Sequence, residues 1–447
     1  MPGITTIAPA PAFSEAVAVF ARVGLLSFGG PAGQIALMHR VFVEERKWLD
    51  EPRFLHALNY CMLLPGPEAM QLATYVGWLL HGVRGGLAAG LLFLLPGAAV
   101  ITVLSAIYLT LGNVPLVAGL LFGIKAAVLA IVLDALIRVS RRALKDGFMV
   151  AIAVVAFIAL AAFKLPFPIV IVAAGLAGAL AHLAGADGRV SASAGEASID
   201  TADMPEWTRP TAGRLATATL TWLAVWLMPL GALYAALGAP NVFTVQASFF
   251  SVMAMVTFGG AYAVLAYVAQ QAVEVYGWLR PDEMLTGLGL AETTPGPLIL
   301  VLAFVGFLGG ARLSGLEPLA GGLAGALVAL WFTFAPCFLW IFAGAPYVET
   351  MRNVRWLAAA LAAVTAAVVG VIANLTLWFS LHVLFREVGE ATIGPLTAPV
   401  PVPGSFDLAA AAIAVGAGLA LLRFGVNMFA VLGGAAAAGA LWMLAAG

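Results

Sequence analysis

Ser27-Phe28-Gly29-Gly30, Trp48-Leu49 and Pro65-Gly66-Pro67 occur twice in this chain, the second time as Thr257-Phe258-Gly259-Gly260, Trp278-Leu279 and Pro295-Gly296-Pro297. Every matched residue is displaced by 230 positions. Repetition at one fixed offset indicates an internal duplication. Gly and Pro breaks at corresponding places in two hydrophobic halves are typical of secondary transporters.

The composition predicts an all-α, polytopic integral membrane protein. Hydrophobic residues make up 63% of the chain and charged residues 10%, and the mean hydropathy is +1.03. About 20 apolar residues are enough to cross the hydrocarbon core as a helix. The clearest apolar stretches predict nine spans: Gly86 to Gly112, Val114 to Ile137, Phe148 to Phe163, Leu165 to Leu183, Leu215 to Leu237, Leu319 to Ala345, Trp356 to Phe385, Leu408 to Leu422 and Phe424 to Ala446.

Four further apolar stretches are interrupted. Phe13 to Val43 is broken at Phe28-Gly29-Gly30-Pro31, Phe54 to His81 is broken at Pro65-Gly66-Pro67, and both have counterparts near Gly259 and Gly296. Each piece between breaks is too short for a comfortable span. Non-helical backbone at membrane depth survives only where protein or a wet cavity covers it. We therefore predict re-entrant hairpins, with fully spanning broken helices as the alternative.

The positions of the basic residues favour a membrane topology with re-entrant hairpins. With a cytoplasmic N-terminus and four re-entrant hairpins, fifteen basic residues fall on the cytoplasmic side of a bacterial-type inner membrane, and the C-terminus is external. The positive-inside rule predicts such a bias. Arg22 and Lys125 stay within the membrane, and only four basic residues fall outside: Lys164, Arg280, Arg312 and Arg386.

The same threading predicts two inverted-topology repeats, each with two re-entrant or broken-helix hairpins and about four transmembrane helices. The repeats occupy 1–184 and 238–447, and the segments between them are a polar cytoplasmic linker (185–214) and a connecting transmembrane helix (215–237). Because this helix adds one extra crossing, it would invert the orientation of the second repeat in the membrane. If a ten-residue insertion is allowed, Pro96 matches Pro336 and Asp134 matches Asn374 at an offset of 240.

The breaks predict an anion site near the membrane centre. A Pro-Gly-Pro sequence ends one helix, and its last proline suits the first turn of the next. The new helix presents unpaired N–H groups and the positive end of its dipole, which together bind anions. A single break of this kind is more often a packing kink, whereas four matched breaks favour a substrate site: Phe28, Gly29, Gly30, Pro65, Gly66, Pro67, Phe258, Gly259, Gly260, Pro295, Gly296 and Pro297.

Several polar side chains are candidates for the same site. Lys125 lies about halfway along a predicted span, so it either contacts substrate or forms an ion pair with Glu68 or Asp134. Arg22 precedes the first break and either joins the anion site or extends to the interface. The remaining candidates are hydroxyls, which either donate to an oxyanion or pack within helices: Ser27, Thr257, Thr293 and Thr294.

Two carboxylates flank the proline breaks and are candidates for proton coupling. Glu68 directly follows Pro65-Gly66-Pro67, where it would also complement the helix dipole. Glu292 precedes the second Pro-Gly-Pro by three residues, and burial favours the protonated form of such a group. The five histidines have no metal-ligand spacing, and no pattern suggests a cofactor or nucleic acid.

The Phe-Gly-Gly-Pro segment at 28 to 31, the basic loop ending in Trp48-Leu49, and the two Pro-Gly-Pro breaks resemble the chromate ion transporter family in its long, two-domain form. The resemblance implies efflux of chromate, a dianion similar in shape to sulfate, and hence chromate resistance.

We therefore expect a secondary active chromate exporter, with a sulfate or other oxyanion transporter and a passive anion channel as alternatives. Nothing in the sequence arranges a nucleophile, a base and an oxyanion donor, so an enzyme is not expected. The expected partners are an oxyanion, the lipid bilayer and protons as coupling ion, and the sequence leaves a homodimer open.

Overall fold

The computed structural model describes residues 11–184, 206–258, 261–347, 355–393 and 396–446. The first half contains α1 (Phe13–Leu26), α2 (Gly30–His39, continued by a π-helical turn to Glu45), α3 (Glu51–Leu63), α4 (Glu68–Leu111), α5 (Pro115–Ala143), α6 (Gly147–Ala161) and α7 (Phe167–Leu183). The helix α8 (Ala212–Leu237) connects the halves.

The second half repeats this order. It contains α9 (Val242–Val256), α10 (Ala261–Gln270, continued by a π-helical turn to Val275), α11 (Pro281–Glu292), α12 (Val301–Leu313, preceded by a 3-10 turn from Leu298), α13 (Pro318–Gly344), α14 (Arg355–Leu384), α15 (Leu408–Gly418, continued to Arg423) and α16 (Met428–Ala446). A β-hairpin of β1 (Val388–Ile393) and β2 (Leu396–Pro401) joins α14 to α15.

In the part of the chain that the structure describes, six helices are long and apolar enough to cross a membrane. They match six of the nine predicted spans. The other three predicted spans correspond to the shorter apolar helices α6, α7 and α15. At a rise of 1.5 Å per residue, the 15 residues of α6 extend about 22 Å. The prediction of an all-α polytopic membrane protein is confirmed.

The two stretches broken at Phe-Gly-Gly fold back on themselves. The ring of Phe20 in α1 lies 6.0 Å from the ring of Trp48, and Arg46 Nη1 lies 3.0 Å from Glu15 Oε1. In the second copy the equivalent rings of Phe250 and Trp278 lie 5.9 Å apart. In each copy the helix before the Phe-Gly-Gly break therefore contacts the segment that follows the helix after the break, as in a hairpin.

The two stretches broken at Pro-Gly-Pro are hairpins as well. The rings of Tyr60 in α3 and Tyr75 in α4 lie 5.9 Å apart, and Arg312 Nη2 in α12 lies 2.5 Å from Glu283 Oε1 in α11. In a helix that continued straight through the break, residues fifteen positions apart would be about 22 Å apart. All four interrupted stretches are thus folded as helical hairpins, and none continues straight through its break.

The ten extra residues of the second copy lie at a helix turn. In the first copy α4 bends back at His81 and Gly82, where Gly82 has φ 59°, and the backbones of Gly77 and Gly85 touch. In the second copy the corresponding turn between α12 and α13 lies around Ser314 and Gly315, further from the break. The insertion lengthens this helical pair and leaves the break unchanged.

The last helices of each half pack against the other half. Gly178 of α7 packs against the backbone of Ala359 in α14, while Gly123 of α5 packs against the backbone of Ala435 in α16. Because α5 and α14 are equivalent at an offset of 240, this is a mutual exchange. The two repeats are therefore interlocked.

The connecting helix α8 lies at the edge of the molecule. Trp226 Nε1 donates a hydrogen bond of 3.1 Å to Ser251 Oγ, and Trp331 Nε1 donates one of 3.1 Å to the carbonyl of Val225. The predicted linker at 185–214 lies outside the described residues up to 205.

Candidate functional site

The four breaks meet as two reciprocal pairs. The N–H of Gly296 donates to the carbonyl of Ser27 at 2.7 Å, and the N–H of Gly66 donates to the carbonyl of Thr257 at 2.8 Å. We call Ser27–Gly30 with Pro295–Pro297 the first break pair, and Thr257–Gly260 with Pro65–Pro67 the second break pair. Each pair joins one repeat to the other, and the two hydrogen bonds are equivalent at an offset of 230.

A buried glutamine supports each break pair. In the first pair Gln34 Nε2 donates to the carbonyls of Gly296 at 2.6 Å and Ser27 at 3.2 Å. In the second pair Gln71 Nε2 donates to the carbonyl of Pro65 at 2.8 Å. The Oε1 atoms of both side chains are buried without a hydrogen-bond partner in the described structure.

The alignment of the two repeats does not reveal this arrangement, because neither glutamine is matched by a glutamine in the other repeat. At an offset of 230, Gln34 is replaced by Val264 and Gln71 is replaced by Val301. Each break pair therefore contains one glutamine. In the first pair it is Gln34 of the Phe-Gly-Gly hairpin, and in the second pair it is Gln71 of the Pro-Gly-Pro hairpin. Sequence reasoning missed Gln34, whose only signal was an amide in an apolar segment near a break.

The Pro-Gly-Pro breaks pack tightly against proline-containing helices of the opposite repeat. Gly296, with φ 94°, lies against α4 near Phe93 and Gly97, and Gly66, with φ 119°, lies against Cys337 of α13. Pro96 and Pro336 are the adjacent residues of α4 and α13. These glycines are required by both their left-handed backbone and the close approach.

We expect Gly97→Ala to destabilise the protein strongly, because a Cβ atom added there would overlap the backbone carbonyl of Pro295. Overpacking of this kind costs about 1–3 kcal/mol. The matched control is Gly416→Ala, since an added Cβ atom at Gly416 meets nothing within 4 Å. Thermal unfolding in detergent should show a lower midpoint for Gly97→Ala only, and equal midpoints would contradict the close packing.

The Phe-Gly-Gly break of the first repeat is open. Gly29 is the N-cap of α2 with φ 86°, Gly30 has φ 69°, and a Cβ atom added at either would meet nothing within 4 Å. Phe28 packs edge-to-face against Phe429 at 5.4 Å. Gly259 and Gly260 lie outside the described residues. Free space therefore adjoins the backbone at the start of α2.

Glu292, which is buried, and Tyr262, which is partly buried, form a hydrogen-bonded pair between the two break pairs. Tyr262 Oη donates a hydrogen bond to Glu292 Oε1, and Glu292 is 5% exposed. Tyr262 lies just after the break at Thr257–Gly260, and Glu292 lies just before the break at Pro295–Pro297. The equivalent residues of the first repeat are Ala32 and Met62, so the pair belongs to one repeat only. Sequence reasoning selected Glu292 but missed Tyr262.

The hydroxyl hydrogens of the candidate site residues are already engaged. Ser27 Oγ donates to the carbonyl of Val23 at 2.6 Å, and Thr257 Oγ1 donates to the carbonyl of Met253. Thr293 and Thr294 likewise donate at 2.7 Å to carbonyls of the preceding turn. The structure thus favours the helix-packing alternative for these four side chains.

Lys125 forms an ion pair with a residue of α11, and Arg22 lies on an exposed part of α1. Lys125 Nζ is 3.5 Å from Asp282 Oδ2, so the expectation of an ion pair with Glu68 or Asp134 is wrong. Asp134 instead pairs with Arg138 at 3.0 Å. Arg22 is exposed on α1. The sequence could not reveal Asp282 as the partner, because α11 approaches α5 only in the folded protein.

The helix starts differ from those expected. Pro67 and Pro297 are N-caps that precede the first helical residue, and the second Pro-Gly-Pro is followed by a 3-10 turn. The N–H groups of Gly66 and Gly296 are used between the repeats, so they are not free to bind an anion. Glu68 is half-buried in the first turn of α4. Within the described residues, no three His, Cys, Asp or Glu side chains are grouped to hold a metal ion.

Comparison with known proteins agrees with this architecture. A family model described as Chromate transporter matches residues 14–179 and 244–440, one match in each repeat. A chromate transport protein of Pseudomonas aeruginosa is 31% identical over 391 residues, which cover 87% of this chain and 86% of the relative.

A chromate transport protein of Cupriavidus metallidurans is 26% identical over 374 residues, covering 83% of each protein. A probable chromate transport protein of Synechococcus elongatus is 26% identical and covers 82% of this chain and 84% of the relative. No solved structure matches the chain. The chain is a multi-pass membrane protein that belongs to the chromate transporter family.

Proposed function

We propose that the chain is a secondary active exporter of chromate in a bacterial-type inner membrane, with a cytoplasmic N-terminus and an external C-terminus. The observation that carries this proposal is the reciprocal pairing of the four breaks. Two interlocked repeats that meet at non-helical backbone offer one central site to either side of the membrane, as alternating access requires.

The two kinds of break have different tasks in this proposal. The Pro-Gly-Pro breaks hold the repeats together, since Gly66 and Gly296 are packed and hydrogen-bonded across the interface. The Phe-Gly-Gly break binds the anion, because Gly29 and Gly30 leave space beside the start of α2. The first N–H groups of this ten-residue helix and the positive end of its dipole would face a dianion there.

Electrostatics supports export as the direction. A cell interior that is negative by 100 mV favours the exit of a dianion by roughly 4 to 5 kcal/mol, at about 2.3 kcal/mol for each charge. Glu292 carries a proton in the opposite direction in this proposal, because a carboxylate buried at membrane depth is stable mainly in its neutral form or when paired. The coupling ion is accordingly the proton.

The charge and shape of the anion alone do not separate chromate from sulfate, because backbone N–H groups recognise both tetrahedral dianions. A sulfate transporter that also carries chromate is therefore the second candidate function. Both ions belong in the same transport experiment.

We expect everted vesicles to accumulate labelled chromate when their lumen is more acidic than the medium. The membrane potential is clamped at zero with potassium and valinomycin, so the pH gradient is the only driving force. One pH unit gives about tenfold accumulation for each coupled proton, since tenfold corresponds to about 1.4 kcal/mol. Vesicles without the protein are the control.

Flux that equilibrates without accumulation under this clamp would contradict the exporter and indicate a passive anion channel. Sulfate accumulation without chromate accumulation would identify the second candidate. Labelled sulfate also guards against an artefact, since it stays a dianion in the acidic lumen where chromate is partly protonated.

A further inference from the structure

A cavity of about 340 Å³ lies where α4, α5, α11 and α12 meet. Three basic side chains line it, and only two carboxylates lie among them. The basic residues are Lys125, Arg280 and Arg312, and the carboxylates are Asp282 and Glu283. The cavity therefore has an excess of positive charge.

One of the two carboxylates is firmly engaged. Glu283 is fully buried and accepts hydrogen bonds from Arg312 at 2.5 Å and 2.7 Å. Tyr108 Oη donates a further hydrogen bond to Glu283 at 3.0 Å. This short, bidentate geometry is typical of a strong structural pair. Glu283 Oε1 also lies 3.1 Å from Arg280 Nη2, so Arg312 and Arg280 share this carboxylate.

Asp282, the other carboxylate, is held loosely between two cations. Its Oδ2 lies 3.5 Å from Lys125 Nζ, and its Oδ1 lies 3.6 Å from Arg280 Nε. Both distances exceed the roughly 2.7–2.9 Å of a charge-assisted hydrogen bond. The Asp282 side chain is 48% exposed, so an ion from the solvent can reach the same position.

We propose that this cavity is a second oxyanion site, in which a tetrahedral dianion takes the place of the Asp282 carboxylate between Lys125 and Arg280. The identity of the ion rests on the proposed function. A dianion has twice the charge of Asp282 and oxygens on all sides, so it contacts both cations. Asp282 competes with the ion and keeps the site weak.

This site is separate from the break pairs. Asp282 precedes Glu292 by ten residues of the same helix, which corresponds to about 15 Å. Arg280 and Arg312 are on the external face in the proposed orientation. The site therefore receives the ion at the external mouth after it leaves the membrane centre, and weak binding suits release.

Asp282→Asn tests the proposal because it should strengthen binding. The change keeps the shape of the side chain and removes the competing charge, so sulfate and chromate should bind about tenfold more tightly. The measurement is isothermal titration calorimetry on the purified full-length protein, with sodium sulfate or sodium chromate at constant ionic strength.

The matched control is Glu390→Gln. Glu390 is an exposed carboxylate whose Oε1 lies 2.5 Å from Lys164 Nζ, so its removal also leaves a lysine without its carboxylate. It does not line the cavity. The control should change the affinity less than twofold, because surface charges are screened by salt. Equal effects of the two variants would overturn the proposal.

Lys125→Gln combined with Asp282→Asn provides the second test. Removing one of the two cations should cancel the gain seen in Asp282→Asn, and a gain that persisted in the double variant would also overturn the proposal. Failure of the proposed function has a different signature, in which neither anion binds the unaltered protein. Binding to the unaltered protein with no response to Asp282→Asn would overturn the mouth site alone.

Discussion

We expect Glu292→Gln to abolish accumulation of chromate driven by a pH gradient, with a loss of at least about 100-fold. Glutamine has the same shape and still accepts the hydrogen bond from Tyr262, so the variant should fold. It cannot carry a proton. The everted-vesicle assay with a clamped potential measures this loss directly, at equal amounts of protein in the membrane.

The same variant should retain exchange of labelled chromate for unlabelled chromate. In exchange the protein changes its conformation only with an anion bound, once in each direction. The empty protein does not have to reorient, so exchange needs no net movement of protons. Loss of accumulation with retained exchange would therefore place Glu292 in coupling rather than in anion binding. Accumulation equal to that of the unaltered protein would remove Glu292 from the mechanism.

Glu68→Gln is the matched control for Glu292→Gln. Both carboxylates lie next to a Pro-Gly-Pro break, but Glu292 is 5% exposed and accepts a hydrogen bond from Tyr262, whereas Glu68 is partly exposed and sits in the first turn of α4. A carboxylate in that position stabilises its helix by about 0.3–1 kcal/mol through the helix dipole. We expect accumulation within a few fold of the unaltered protein. A loss as large as that of Glu292→Gln would assign the coupling to both residues.

Tyr262→Phe separates the proton carrier from its partner. The phenyl ring fills the same space but leaves Glu292 Oε1 without its donor. A buried acceptor that loses its donor costs about 1–3 kcal/mol. We therefore expect accumulation to fall about tenfold, less than in Glu292→Gln, with exchange again retained.

The sequence predicted the secondary structure and the equivalence of the breaks, because hydrophobic length and a fixed offset are local properties. It could not predict which breaks touch. The offset relates Gly66 to Gly296, whereas the hydrogen bonds join Gly66 to Thr257 and Gly296 to Ser27. Such contacts depend on how the two repeats interlock.

The side-chain contacts that the sequence did not reveal have the same physical origin. Lys125 was expected either to contact substrate or to pair with Glu68 or Asp134, but α11 brings Asp282 beside it. Tyr262 and Gln34 stand in apolar helices near breaks, but nothing in the sequence shows which groups they contact. The β-hairpin of Val388–Ile393 and Leu396–Pro401 was not predicted, because its second strand contains two prolines, which lack the N–H that a strand donates.

The two glutamines of the break pairs have the next largest expected effect. Gln34→Leu removes the donor to the carbonyls of Gly296 and Ser27, and Gln71→Leu removes the donor to the carbonyl of Pro65. We expect each variant to lower chromate transport per folded molecule at least about tenfold, since positioning of a central site tolerates little displacement.

Gln246→Leu shows whether that loss comes from the breaks or from stability alone. Gln246 is fully buried, donates at 3.0 Å to the carbonyl of Gly306, and also has an unpaired Oε1, yet it lies outside both break pairs. All three variants should lower the thermal midpoint similarly, because each leaves a buried carbonyl without its donor. Only Gln34→Leu and Gln71→Leu should lower transport per folded molecule. If Gln246→Leu lowered it equally, the breaks would have no special place in transport, and the two repeats would meet there for packing alone.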